Sequence, residues 1–232
     1  MKVVWKTDVG RMRSSNQDYV LIGGGLFAVA DGMGGHRGGN VASALCCSTL
    51  LSCLENLKPD EKALKYGIGE ANSAVFEKAS EDTALEGMGT TLTVIWDAGD
   101  RVVLGHVGDS RAYLYRDGRL KQVTEDHSLV WEMMKRGSIT PEEARTHPYR
   151  NMITKAVGTD PAVIPDIRTV KVIPGDLWLI CSDGLTEYLT DRRLEETLEQ
   201  YSPEEAADRM LEEALEAGGK DNISLIIAEV TP

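Results

Sequence analysis

The stretch "TTLTVIWDAGDRVVLGHVGDSRAYLYRDGRLKQVT", Thr90 to Thr124, decides the fold class. Short runs rich in Val, Ile, Leu and Tyr alternate with turn signals at Asp97–Asp100, Gly108–Ser110 and Asp117-Gly118. Turns about every ten residues between such runs predict an antiparallel meander. Further strands are expected at Tyr19–Ile22, Leu26–Ala30, Thr169–Ile173, Leu177–Cys181 and Ile223–Val230. Several of these are almost continuously apolar, the pattern of a strand covered on both faces.

Helical spacing fills the gaps, at roughly Gly39–Leu54 and Asp60–Ala79. A third helix is read from "SPEEAADRMLEEALEAGG", where Ser202 and Glu205 match a capping box, Pro203 suits the first turn and Gly218 the stop. Strands and helices come in blocks rather than strict alternation, which predicts an α+β fold with mainly antiparallel sheet. Residues Asp126–Asp160 are polar, with helical pieces and few β-runs. They read either as a flap inserted beside a site or as an ordinary surface excursion. No internal repeat or interdomain linker is visible, so residues 1–232 are expected to form one domain.

Composition narrows the function. The 232 residues carry a net charge of −12, which disfavours nucleic acid and anionic membrane surfaces as partners. No apolar run approaches the ~20 residues that span a bilayer. "MKVVWKTDVG" lacks the core of a signal peptide. The four cysteines (Cys46, Cys47, Cys53, Cys181) lack metal-ligand spacing and read as reduced thiols of a cytoplasmic protein.

The chemistry lies where strands begin and end. Leu26–Ala30 runs into Asp31-Gly32, and Leu177–Cys181 into Ser182-Asp183-Gly184. Asp109 follows the run ending at Val107, Asp221-Asn222 precedes the last strand, and Asp18 opens an early one. Any single Asp-Gly is a common turn. Five acidic positions at strand mouths are harder to explain that way. Converging carboxylates raise one another's pKa and call for a neutralising partner, for which a hard divalent cation is suited. Oxygen donors without His or Cys favour Mg²⁺ or Mn²⁺ over Zn²⁺, and Gly32 would let its backbone approach an ion closely. Arg13 is a candidate to grip phosphate oxygens, with an exposed surface arginine as the alternative.

"FAVADGMGGHRGG", Phe27–Gly39, also invites a phosphate-loop reading. A P-loop needs a Gly-Lys-Ser/Thr, and no lysine occurs between Lys6 and Lys58. A dinucleotide fingerprint starting at Gly32 would need glycine where Arg37 stands. Both fail.

Seven blocks now stand in order: "GRMRSSNQD" (Gly10–Asp18), "VADGMGGHRGGNVAS" (Val29–Ser43), "MGTTL" (Met88–Leu92), "GHVGDSRAYLYRDG" (Gly105–Gly118), "TEDHS" (Thr124–Ser128), "CSDGLTE" (Cys181–Glu187) and "GGKDNIS" (Gly218–Ser224). Together they resemble the metal-dependent type 2C protein serine/threonine phosphatases in their short bacterial form. The resemblance implies a central sandwich of two antiparallel sheets flanked by helices on both sides, four layers in all. It implies hydrolysis of phosphoserine and phosphothreonine on proteins by a metal-bound hydroxide, without a phosphoenzyme. By position it makes Asp31, the Gly32 carbonyl, Asp183 and Asp221 ligands of two Mn²⁺ or Mg²⁺ ions, with Asp18 acting nearby through water. Asp109 with Asp183 corresponds to a third, weaker ion site, Arg13 to the phosphate-binding arginine, and Asp126–Asp160 to the flap. The implied partners are phosphorylated proteins, including a Ser/Thr kinase and its substrates; a monomer is expected, though the sequence itself does not fix the oligomeric state. A metal-bound module that binds phosphoproteins or regulates a kinase is the alternative.

Two positions depart from the wider family. Met33 stands where eukaryotic members carry a histidine proposed as general acid, leaving water or His36 as proton donors. Gln17 stands where glutamate is frequent. Of the other histidines, His106 reads as a core residue, and His127 and His147 as flap or surface residues.

Overall fold

The computed structural model describes the backbone of residues 1–232 and every side chain except those of residues 35–37. The chain opens with β1 (Lys2–Asp8), β2 (Asp18–Gly23) and β3 (Leu26–Met33). Two helices follow, α1 (Gly35–Leu54) and α2 (Glu61–Glu81). Then come β4 (Gly89–Thr90), β5 (Leu92–Asp97), β6 (Arg101–Val107), β7 (Arg111–Arg116) and β8 (Arg119–Gln122). The helices α3 (Leu129–Lys135) and α4 (Pro141–Thr146) lead to β9 (Asp166–Lys171) and β10 (Leu177–Cys181). The chain ends with α5 (Asp183–Thr186), α6 (Asp191–Gln200), α7 (Pro203–Glu216) and β11 (Ile223–Glu229).

The strands form two antiparallel sheets, ordered β1-β11-β10-β7-β8 and β2-β3-β5-β6-β9, with β4 paired to β3. Side chains alternate between two cores, as a period of two requires. In β3, Leu26, Ala28 and Ala30 pack under α1 and α2, while Phe27 and Val29 face the other sheet. In β10 and β11, Leu179, Cys181, Ile223, Leu225 and Ile227 pack against α6 and α7. Trp178, Ile180, Ile226 and Ala228 fill the space between the sheets. Three apolar cores separate four layers, and both faces of the central strands are dry. That is why these strands read as unbroken apolar runs.

Four details depart from the sequence reading. The expected meander is broken at Gly108–Ser110. β6 pairs with β5 and β9, whereas β7 pairs with β8 and β10 in the other sheet, so the turn is a crossing between layers. Periodicity cannot reveal this, because a hairpin turn and an intersheet crossing use the same Gly-Asp-Ser chemistry. β9 starts at Asp166 rather than Thr169, and α1 starts at Gly35 rather than Gly39. β1 carried no clear sequence signal, since "KVVWKTD" is short and half polar. It gains its place by pairing along its whole length with β11.

The capping box at Ser202 and Glu205 is present, with Pro203 at the first turn. Cys46, Cys47 and Cys181 are buried free thiols, and burial pushes Cys46 and Cys181 up to about 12, so they are inert.

One ion pair pins the end of β7. Arg116 donates to both oxygens of Asp176 at 2.7 and 2.6 Å, and Asp176 is 1% exposed. Arg116→Met leaves that carboxylate buried without its counter-charge. Urea denaturation is expected to show a loss of about 2 kcal/mol. An unchanged midpoint would contradict the assignment.

Candidate active site

Asp18 and Asp31 face each other across the β2–β3 ladder. Asp183 is the first residue of α5, just past β10, and Asp221 sits in the turn before β11. Asp109 lies in the crossing between sheets. One sheet therefore brings Asp18 and Asp31, the other Asp183 and Asp221, and the crossing brings the fifth. All except Asp18 line a cavity of about 620 Å³, together with Arg13, Gly32, Thr91 and Asn222. Asn151 and Ile153, from between α4 and β9, close one side. Part of the polar segment Asp126–Asp160 therefore stands beside the site.

The local chain explains these placements. Gly32 cannot carry a Cβ, because one would overlap the Gly39 carbonyl oxygen where α1 packs against β3. Thr91 fixes the preceding residue: its hydroxyl accepts the Asp31 N–H at 2.9 Å and its N–H donates to the Asp31 carbonyl at 2.8 Å. Ser182 joins the two sheets, donating to Asp18 Oδ2 at 2.8 Å and accepting the Ser224 N–H at 3.0 Å.

Asn222 is the residue that sequence reasoning passed over. Its Oδ1 accepts the Gln17 N–H at 2.8 Å, and its Nδ2 donates to the Val9 and Ser15 carbonyls at 2.9 and 3.0 Å. One amide therefore shapes the whole loop that carries Arg13. The signal was the polar residue after Asp221, buried at 4% exposure. Arg13 is half exposed at the rim and donates to Asp221 Oδ2 at 2.7 Å.

The electrostatics are unfavourable for five free carboxylates. Burial, then repulsion from Asp18, Asp183, Asp109 and Asp221, holds Asp31 well above the usual carboxylate range. Burial pushes Asp18 up to about 7 and Asp183, further raised by Asp221, up to about 6. Asp109 is raised by burial and by Asp183. Among the described residues, Asp18 Oδ1 and Asp183 Oδ1 are buried side-chain oxygens without a hydrogen-bond partner. Orphaned, mutually repelling oxygens fit a hard cation, whose charge removes the repulsion and whose shell takes up the lone pairs. No three His, Cys, Asp or Glu side chains among the described residues already close on one point. The carboxylates instead surround a space with room for the hydration waters that such cations keep.

Met33 lines the cavity, so no side-chain proton donor is present at that position. The side chain of His36 lies outside the described residues. His106 is fully buried against Thr93, as a core residue should be. The His127 ring accepts the Gly108 N–H, and His147 caps the end of α4.

Without a cation, the raised carboxylates hold protons that the unfolded chain has already released. Folding stability is thus expected to fall as pH rises from the ordinary carboxylate range to about 7. In chelator at about pH 8, Asp18→Asn should be more stable than wild type by about 1 kcal/mol or more, and near pH 4 equal to it. Denaturation showing the variant weaker at about pH 8 would contradict this.

The comparisons agree with this architecture. Residues 11–217 match the family model described as protein phosphatase 2C. The serine/threonine protein phosphatase PstP of Mycobacterium tuberculosis is 42% identical over 231 residues, covering 97% of this chain; the chain spans 44% of that relative's length. The serine/threonine phosphatase stp of Listeria welshimeri is 38% identical, with 99% of this chain and 96% of that protein covered. A crystal structure of a PstP catalytic domain in complex with two manganese ions superposes with a TM-score of 0.91, at 39% identity over 100% of this chain and 98% of that one. With a family match across most of its length and the same four-layer fold, the chain belongs to the protein phosphatase 2C family.

Proposed function

We propose that residues 1–232 act as one metal-dependent phosphatase domain that removes phosphate from phosphoserine and phosphothreonine in proteins. The observation that carries the reading is the cluster of repelling carboxylates, two with orphaned oxygens, facing a cavity with an arginine at its rim. The phosphatase activity for which the relatives are named and the two manganese ions of the PstP domain support it.

Asp31, the Gly32 carbonyl, Asp183 and Asp221 would hold two Mn²⁺ or Mg²⁺ ions, and Asp109 with Asp183 a third, weaker one. When bound, these ions neutralise the carboxylates, polarise the phosphoryl oxygens and ready a water for in-line attack. Arg13 reaches the cavity from the rim, where its guanidinium takes two phosphate oxygens bidentately. Its present partner Asp221 keeps it pre-aimed. Asp18, held by Ser182 just behind the lining, would act on the ions through their bound water. Met33 offers no proton, so the leaving alkoxide would take one from a metal-bound water or from His36. The flap residues Asn151 and Ile153 limit which phosphoproteins reach the site.

The chain is read as a monomeric cytoplasmic enzyme acting on a Ser/Thr kinase and that kinase's substrates. Among the described residues no helix is long and apolar enough to cross a membrane.

Phosphate release from a phosphothreonine peptide should require Mn²⁺ or Mg²⁺ and fall by at least about 100-fold in Asp183→Asn. Tight peptide binding without turnover would place the chain among binding modules instead. Arg13→Ala is expected to raise KM about tenfold. An unchanged KM would remove Arg13 from phosphate binding.

A further inference from the structure

The turn that carries Asp109 between the sheets has an unusual backbone. Gly108 adopts φ +107, and a Cβ there would lie 2.6 Å from the Thr91 side chain. Only glycine fits, and its N–H and C=O lie outside the strand ladders and need other partners. One residue takes both. The His127 N–H donates to the Gly108 carbonyl at 2.7 Å, and its ring Nδ1 accepts the Gly108 N–H at 3.0 Å. The His127 carbonyl in turn accepts the Thr154 N–H at 2.8 Å, on the returning limb of the flap.

The ring is set for this task. An amide N–H only donates, so Nδ1 must present its lone pair, and the proton of the neutral ring sits on Nε2. Nε2 faces Asp166 Oδ2 at 3.5 Å. Lys155 Nζ lies 3.1 Å from Nε2, donates to the Ile164 carbonyl at 3.1 Å and stands 3.8 Å from Asp166 Oδ1. With Nε2 protonated, the 3.1 Å approach of lysine to ring is a contact between two donors, both of which face the Asp166 carboxylate. Burial, and next the Lys155 charge, hold His127 below its ordinary range, which keeps Nδ1 an acceptor. His106 stacks on the ring at 4.9 Å between centroids and 19° between planes, and stops it from turning. Across the turn, the Ser110 hydroxyl is bonded to that of Thr91 at 2.7 Å.

We infer that His127 is a positioning residue: it clamps both polar groups of Gly108, thereby fixes Asp109 at the cavity, and ties that position to the anchored flap. The inference rests on the reading of the cavity as a phosphatase centre in which Asp109 takes part. It assigns a task to the "TEDHS" block that the cavity lining leaves without one.

Substitution at one position separates the clamp from general packing. In asparagine, Oδ1 occupies roughly the place of Nδ1 and accepts the same N–H; in glutamine, the carbonyl reaches past it. Gly108 amide exchange, followed by NMR in cation-free protein, is expected to quicken about tenfold or more in His127→Ala and His127→Gln but not in His127→Asn. With Mn²⁺ and a phosphothreonine peptide, kcat should fall about tenfold in the same two variants with KM nearly unchanged, and His127→Asn should keep it. Equal Gly108 exchange in all variants, or His127→Asn as impaired as His127→Ala, would overturn the inference. If His127→Ala does not fold, the asparagine and glutamine variants decide it. Wild type that releases no phosphate would sink the phosphatase reading alone, because the exchange comparison in cation-free protein still tests the clamp.

Discussion

Repulsion among carboxylates gathered at one mouth of the sandwich is the constraint on which this molecule is built. Asp18, Asp31, Asp109, Asp183 and Asp221 come from five separate segments, and burial with repulsion from neighbouring carboxylates raises the first four. Left alone they would favour protonation or separation of the sheets. The fold resists separation with three apolar cores, two of them outside the site layers and one between the sheets. The strain is local, at the mouth of the sandwich, and a divalent cation would relieve it.

The neighbouring residues follow from that constraint. Ser182 bridges the sheets at Asp18, Asn222 holds the loop of Arg13, and Gly32 lets α1 approach β3 without a gap. These are neutral groups that hold charged ones in place, and none adds charge to the cavity. Arg13 and Asp221 form the one ion pair recorded inside the cavity lining among the described residues. Its exposure at the rim leaves the guanidinium free to exchange a carboxylate for a phosphate at small cost.

Much of this was legible in the sequence. Double-faced apolar runs such as Leu177–Cys181 announced strands between two cores, and the Asp-Gly pairs at their ends announced the site. The ordered blocks then fixed the family. Three things were hidden. The Gly108–Ser110 crossing looks like a hairpin, because turn chemistry does not encode which sheet the next strand joins. β1 is defined by its partner β11 rather than by its own residues. The work of Asn222, Ser182 and His127 depends on contacts between positions as far apart as Val9 and Asn222, which no local pattern displays.

The central claim is that the carboxylates surround cation sites and are not merely a polar cleft. Anomalous diffraction from crystals of this chain grown with Mn²⁺ tests it most directly. The account predicts two strong peaks inside the cavity, bounded by Asp31, the Gly32 carbonyl, Asp183 and Asp221. A cavity without peaks, in crystals where Mn²⁺ is otherwise bound, would contradict it.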